Sequence, residues 1–206
     1  MIISRTPFRI SFFGGGTDYP VFYRENGGSV LSTSIDKYCY VNCRYLPPFF
    51  NYNYRIRYRT QEEVVSIEDI EHPTVRECLK FIDLGRGVEI QHNADLPAMS
   101  GLGSSSAFTV GLLKVLNALK GTIISKYQLA LDAVNVEQNL IKENVGSQDQ
   151  TIASFGGFNK IDFSRDGDII VSPVTISRDK INYLQSHLIL FFTGFIPTPS
   201  RQLSPI

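Results

Sequence analysis

The residues that could do chemistry crowd into one stretch, Pro97–Phe108, which reads PAMSGLGSSSAF. Ser100, Gly101, Gly103, Ser104, Ser105, Ser106 and Ala107 carry so little side-chain bulk that backbone N–H groups can close on a ligand. The next residues, Ala107–Leu119 (AFTVGLLKVLNAL), are apolar on nearly every side and predict a buried helix closed by Gly121. A glycine- and serine-rich loop feeding a helix N-terminus is an anion site, because unpaired N–H groups and the positive end of the helix dipole both face it. Two familiar phosphate loops do not fit. A Walker A loop needs a lysine after its last glycine, and neither glycine has one. A dinucleotide loop needs glycine where Ser106 stands. The competing reading is a small-residue turn ahead of a core helix.

Holding that loop in place requires a sheet and further helices. Ile2–Arg5 and Phe8–Phe13 predict two strands, with Phe8, Ile10 and Phe12 alternating against Arg9 and Ser11. Gly14-Gly15-Gly16 then makes a sharp loop that another molecule can approach closely. Thr17 or Asp18 could cap a short helix over Val21–Glu25, the alternative being a glycine-rich hairpin connection. Strands follow at Ser29–Ser34, Tyr38–Tyr45 and Tyr54–Arg59, then a helix over Thr74–Leu84 ended by Gly85, then a strand over Gly87–His92 leading to the Pro97 loop. Beyond the central helix, Leu129, Ala133, Val136, Leu140 and Ile141 recur at helical spacing and predict one helix over Lys126–Glu143, capped by Ser125 and stopped by Gly146. A short helix over Ser147–Phe155, strands at Phe158–Phe163 and Asp168–Val174 around an Asp166-Gly167 turn, and a buried strand at Ser186–Thr193 complete the reading.

Composition excludes several function classes. Lysine plus arginine and aspartate plus glutamate number 20 each, so the formal net charge is zero and no nucleic-acid or acidic-membrane partner is indicated. The alternating arginines of Tyr54–Arg59, followed by Glu62-Glu63, read as a solvated sheet face rather than a nucleic-acid stripe. Cys39, Cys43 and Cys78 form no CxxC pair, and His72, His92 and His187 have no zinc spacing; Cys39 and Cys43 fall on one strand face as buried thiols. No segment approaches the roughly 20 apolar residues of a membrane helix, and the start, MIISRTPFRIS, has no signal-peptide pattern, so the expected compartment is the cytoplasm.

Three stretches together resemble the GHMP small-molecule kinases. Pro97 with Gly101–Ala107 resembles their second motif, Pro, three residues, then Gly-Leu-(Gly/Ser)-Ser-Ser-(Ser)-Ala. Thr6–Tyr19 (TPFRISFFGGGTDY) is similar to the first motif of the sugar-kinase branch. Galactokinases carry Pro-Gly-Arg-Val-Asn-Leu-Ile-Gly-Glu-His-Thr-Asp-Tyr there, and Pro7, Arg9, Gly14, Thr17, Asp18 and Tyr19 keep its register without a gap. Glu137 followed by Asp149 in EQNLIKENVGSQDQ resembles the family's metal-binding glutamate and its Gly-x-x-Asp-Gln segment. RISFFGGGTD, with Gly27-Gly28 and Ile35-Asp36-Lys37-Tyr38, looks most like the D-glycero-D-manno-heptose 7-phosphate kinases, which phosphorylate the anomeric hydroxyl.

The resemblance implies an α+β fold: the GHMP N-terminal domain, similar to ribosomal protein S5 domain 2, with a mixed sheet backed by two long helices. It implies ATP and Mg²⁺ as cofactors, a sugar phosphate as substrate, and leaves room for a homodimer. Pro97, Met99, Ser100, Gly101, Leu102, Gly103, Ser104, Ser105 and Ser106 would hold the nucleotide phosphates, and Ser105 with Glu137 the metal. Asp149 would accept or orient the hydroxyl proton, and Arg9 would stabilise the transferring phosphoryl group or position Asp149. Gly14, Gly15, Gly16, Thr17 and Asp18 would bind the sugar. Gly15 and Gly16, in place of Glu-His, would leave room for a bulkier heptose, with Arg24, Lys37 and Arg44 as phosphate partners by charge. The domain would span 1–193 and a linker 194–206, with no C-terminal GHMP domain. A fucokinase-like enzyme and a catalytically silent sugar- or nucleotide-binding module are the alternatives. For Glu137 and Asp149 taken alone, the plainer reading is a solvated helix face.

Overall fold

The computed structural model describes residues 1–98 and 100–191. Its frame is a pair of long strands, β1 (Ile2–Phe12) antiparallel to β2 (Gly28–Tyr45). Each runs through the interruption expected from the sequence, at Thr6-Pro7 and at Ile35–Lys37. β1 pairs with β2 alone among the described strands, and an edge strand is where a proline is tolerated. Pro7 lies opposite Tyr38 but Arg9 lies opposite Ser34. The irregularity falls immediately before Arg9, where a bulge can re-aim a side chain.

β5 (Val88–Ala94) and β6 (Phe158–Phe163) pair with the C-terminal and N-terminal halves of β2. β3 (Tyr54–Arg57) lies parallel to β5, while β4 (Gln61–Val64) and β7 (Ile169–Pro173) extend the two sides antiparallel. The order is β4-β3-β5-β2-β6-β7, mixed through its one parallel pair among the described strands. Helices α2 (Pro73–Ile82) and α3 (Ser104–Lys120) share a core with Phe8, Cys39, Val41, Cys43, Ile56 and Ile90 of the sheet. In α3, Leu112, Leu113 and Leu116 are fully buried, each contributing roughly 1.5–3 kcal/mol by area. A second core of Tyr23, Val30, Ile152, Ile161, Phe163 and Ile169 ties α1 (Pro20–Asn26) and α5 (Gln148–Phe155) to β2, β6 and β7. The α+β expectation of a mixed sheet backed by helices is what the fold presents.

Several local expectations are corrected. Neither Thr17 nor Asp18 caps α1: Tyr19 is its N-cap without a side-chain bond, and Pro20 opens the helix, where its missing N–H costs nothing. α2 ends at Ile82, and Asp83 rather than Gly85 takes the left-handed closing position. Ser125 does cap α4 (Lys126–Asn135), accepting from the Gln128 N–H at 3.1 Å. That helix does not continue regularly to Glu143. It widens into a π-helical turn over Val136–Leu140, and left-handed Lys142 takes the chain away before Gly146 is reached. Glu62, read as part of a solvated face, is buried, accepting from the Tyr58 hydroxyl and the Glu71 and His72 N–H groups.

The buried strand over Ser186–Thr193 is not formed in its described part. Ser186 closes α6 (Arg178–Ser186), and Leu188, Ile189, Leu190 and Phe191 are exposed. An apolar run becomes a strand only where a neighbour completes its hydrogen bonds, and no described strand pairs with this one. Residues 192–193, the 194–206 linker and Met99 lie outside the described residues.

Candidate active site

Arg9 joins three elements. Its backbone N–H donates to the Leu102 carbonyl at 3.1 Å, and its Nη1 to the Gly101 carbonyl at 2.9 Å, which fixes the glycine loop to β1. Its Nε and Nη2 donate to the two carboxylate oxygens of Asp149, both at 2.6 Å. That two-pronged pair sets the plane of the Asp149 carboxylate as well as its position. Asp149 sits in the first turn of α5, and its side chain remains 24 % exposed, open to a reactant. The plainer reading of Asp149 as a solvated helix-face residue therefore gives way to a tertiary ion pair.

Gly103 lies against the same pair. A Cβ there would stand 3.2 Å from Arg9 Cγ and 3.3 Å from Asp149 Oδ2, and the backbone has φ of +76°. Both facts call for glycine. Gly103 is also the N-cap of α3, which has no side-chain cap and no acidic residue in its first turn. The helix thus presents its first N–H groups at the loop with no carboxylate to compete for them. Leu102 packs into the main core, and the Ser100 hydroxyl is buried with no partner among the described residues. Pro97 and Gly101 are exposed, as is Ser105, while Ser104 is half-buried and Ser106 buried.

Glu137 is 1 % exposed, not on a solvated face. Its Oε2 accepts from the Ser106 hydroxyl at 2.9 Å and from the Gln150 amide, while its Oε1 and the Gln150 Oε1 are buried without partners among the described residues. Burial pushes its carboxyl up to about 7, against the hydrogen bonds from Thr109, Gln150 and Ser106 that pull it down. The π-helical turn delivers this carboxylate beside the first turns of α3 and α5. The hydroxyl bonded to Glu137 is that of Ser106, one residue after Ser105, which the resemblance pairs with Glu137 at a metal and which is exposed here.

An orphaned carboxylate oxygen next to a hydroxyl suits a hard cation. Mg²⁺ is commonly held by one or two carboxylates together with substrate phosphates.

The Gly14–Gly16 loop is attached to α5. Asp18 is 2 % exposed; its Oδ1 accepts from the Gly16 N–H at 2.8 Å and its Oδ2 from the Gln148 N–H at 3.2 Å, while its carbonyl accepts from the Ser147 N–H at 2.9 Å. Gly146 is glycine because a Cβ would run into that carboxylate. The Ser11 hydroxyl lies 2.9 Å from the Gly14 carbonyl and 2.8 Å from the Gln148 Oε1, which share its single hydrogen, and Thr17 Oγ1 donates to the Ser29 carbonyl at 2.8 Å. The Cβ direction of Gly15 is taken by the Gln148 amide, whereas nothing lies within 4 Å of a Cβ at Gly16. A cavity of about 360 Å³ is lined in part by Phe13, Gly14, Gly15, Thr17 and Lys160. Of the cations considered for a phosphate, Arg44 is already paired with Glu89.

No sequence signal singles out Ser11 or Gln148, and Tyr19 stands in the first motif without an assigned role. Burial raises the Tyr19 hydroxyl above its ordinary value, and the Asp18 and Asp149 charges add to this. Gln150 was in view as part of the Asp-Gln pair, but nothing in the sequence set it against Glu137.

Residues 73–157, which hold the glycine- and serine-rich loop, Glu137 and Asp149, match the family described as GHMP kinases N terminal domain. This stretch of the chain is similar to a GHMP kinase N-terminal domain. The D-glycero-alpha-D-manno-heptose 7-phosphate kinase of Campylobacter jejuni is 27% identical over 94% of this chain and 60% of its own length. A galactokinase of Chloroflexus aurantiacus is 28% identical over 75% of this chain and 40% of its own. The crystal structure of a D-glycero-D-manno-heptose 1-phosphate kinase from Bacteriodes thetaiotaomicron superposes with a TM-score of 0.81 at 25% identity, over 90% of this chain and 64% of that one. The chain thus spans between two fifths and two thirds of these relatives. No helix among the described residues is long and apolar enough to cross a membrane.

Proposed function

We propose that this GHMP domain serves in the ATP-dependent phosphorylation of a sugar, with the anomeric hydroxyl of D-glycero-D-manno-heptose 7-phosphate as acceptor. The observation that carries the reading is Arg9 gripping Asp149 with two hydrogen bonds and the glycine loop with two more. It holds a carboxylate at the edge of an anion-binding helix terminus. The heptose kinase relative and the heptose kinase structure favour that acceptor over galactose.

The ATP phosphates would lie against the N–H groups of Gly101–Ser106 at the start of α3. Asp149 would accept the proton of the attacking hydroxyl while that oxygen bonds to the γ-phosphorus and the bond to ADP breaks. Arg9 would keep the Asp149 carboxylate aimed during that transfer. Glu137, with the hydroxyl of Ser105 or Ser106, would hold Mg²⁺, which supplies charge neutralisation on the β- and γ-phosphates. Asp18 would bear on the sugar through the Gly14–Gly16 loop it anchors.

The test is ADP release with heptose 7-phosphate, galactose, fucose and other sugars, using the protein expressed from its own reading frame. Heptose 7-phosphate should be the preferred acceptor. Asp149→Asn should lower kcat by roughly 10²–10⁴ while ATP affinity stays within about twofold. Preference for an unphosphorylated hexose would reject the acceptor and keep the kinase class. ATP binding with no turnover of any sugar would identify a silent binding module instead.

A further inference from the structure

Gln148 has no part in the chemistry just described, yet it sits between that chemistry and the glycine loop. It is 7 % exposed and directly precedes Asp149 at the start of α5. Its backbone N–H donates to Asp18, its Oε1 accepts from the Ser11 hydroxyl at 2.8 Å, and its Nε2 occupies the place of a side chain on Gly15. Ser11 belongs to β1, Gly15 to the loop and Gln148 to the helix that carries Asp149, so one side chain touches all three.

We infer that Gln148 is a positioning residue that locks the Gly14–Gly16 loop onto α5, so that the acceptor-binding loop and Asp149 move as one body. The inference rests on the kinase reading above. Loop and carboxylate must agree to within a fraction of an ångström for a hydroxyl bound by one to reach the other. Asp18 bonds the backbone at Gly16 and at Gln148 but makes no hydrogen bond to Gly15 among the described residues. The amide of Gln148 presses on Gly15 itself. Glycine at 15 is therefore the complement of glutamine at 148: Gly15 has no positive φ, so an alanine there is opposed mainly by the Gln148 side chain.

That complementarity supplies the test. Gly15→Ala, Gln148→Ala and the double variant would be compared in the protein expressed from its own reading frame, by sugar and ATP kinetics and by thermal unfolding. Gly15→Ala should displace the amide and lower kcat/KM for the sugar on the order of 10- to 100-fold, with the ATP KM unmoved. Gln148→Ala should lower it similarly. The double variant should be no worse than Gln148→Ala, because the alanine then meets no glutamine.

Gln148→Met, which fills the space but cannot accept from Ser11, should restore thermal stability without restoring the sugar kinetics. Full kinetic recovery in Gln148→Met would mean that the side chain only packs, and would overturn the inference. So would additive losses in the double variant, or ATP and sugar parameters falling together. A parent protein that turns over no sugar would overturn the kinase reading and this role with it. An active parent with additive variants would overturn this role alone.

Discussion

Glu137→Gln should make the folded chain more stable at neutral pH while removing the metal ligand proposed above. The buried carboxyl has a folded-state value of about 7 against an ordinary 4.5, so the native state binds this proton more tightly than the unfolded chain does. Its contribution to stability is complete below the unfolded value and disappears as pH rises through about 7. At about 1.4 kcal/mol per pH unit, ionisation of the unfolded chain's carboxyl ahead of the native one removes about 3 kcal/mol between pH 4.5 and pH 8.

The amide introduced by Glu137→Gln would keep an oxygen for the Ser106 and Gln150 donors and offer an N–H to the Gln150 Oε1 that now lacks a partner. The variant should therefore show a flat profile over that range. It should be more stable than the parent by under about 1 kcal/mol at pH 5 and by about 3 kcal/mol at pH 8. Urea unfolding of both proteins at pH 5, 6, 7 and 8 measures the difference directly. Two curves that stay parallel across that range would refute the claim that burying this charge opposes folding. A variant less stable than the parent at pH 8 would refute the proposed fit of the amide. The destabilisation has a functional counterpart, since an incompletely satisfied carboxylate is what a bound cation would satisfy.

Three further outcomes follow from the geometry. Gly103→Ala adds a side chain at φ of +76° within 3.4 Å of both Arg9 and Asp149, and should cost at least about 1 kcal/mol in urea unfolding and weaken ATP binding in calorimetry. An unchanged ATP affinity would separate the loop from nucleotide binding. Gly146→Ala drives a Cβ into the Asp18 carboxylate and should loosen the start of α5, read as faster amide exchange at Ser147 and Gln148. Cys39 and Cys43, their thiols pushed up to about 12 by burial, and fully buried Cys78 should resist a disulfide reagent in the folded protein and react with it in urea.

Much of this protein was legible in its residues. Small side chains at Ser100–Ala107 followed by an apolar helix raise the expectation of an anion-binding terminus through local chemistry alone, and α3 with Gly121 at its end needs no partner to be recognised. The order of Arg9, the Gly-Ser loop, Glu137 and Asp149 along the chain carried the family resemblance. Alternation located β3, β6 and β7, whose residues keep one face inward. What the sequence could not decide was which distant residues meet. Glu137 reads as a solvated helix residue until the π-helical turn and the first turns of α3 and α5 close over it; then the same side chain is buried, bonded to Ser106 and Gln150, and titrates at about 7. Gly15 reads as open space until α5 brings Gln148 into it. The apolar run after Ser186 reads as a strand, yet strand formation depends on a neighbour's backbone, and none of the described strands supplies it. Propensity and motif spacing are local properties of the chain. Burial, hydrogen-bond partners and pKa are set by contacts between residues far apart in sequence, and those exist only once the sheet has brought β1, α3 and α5 together.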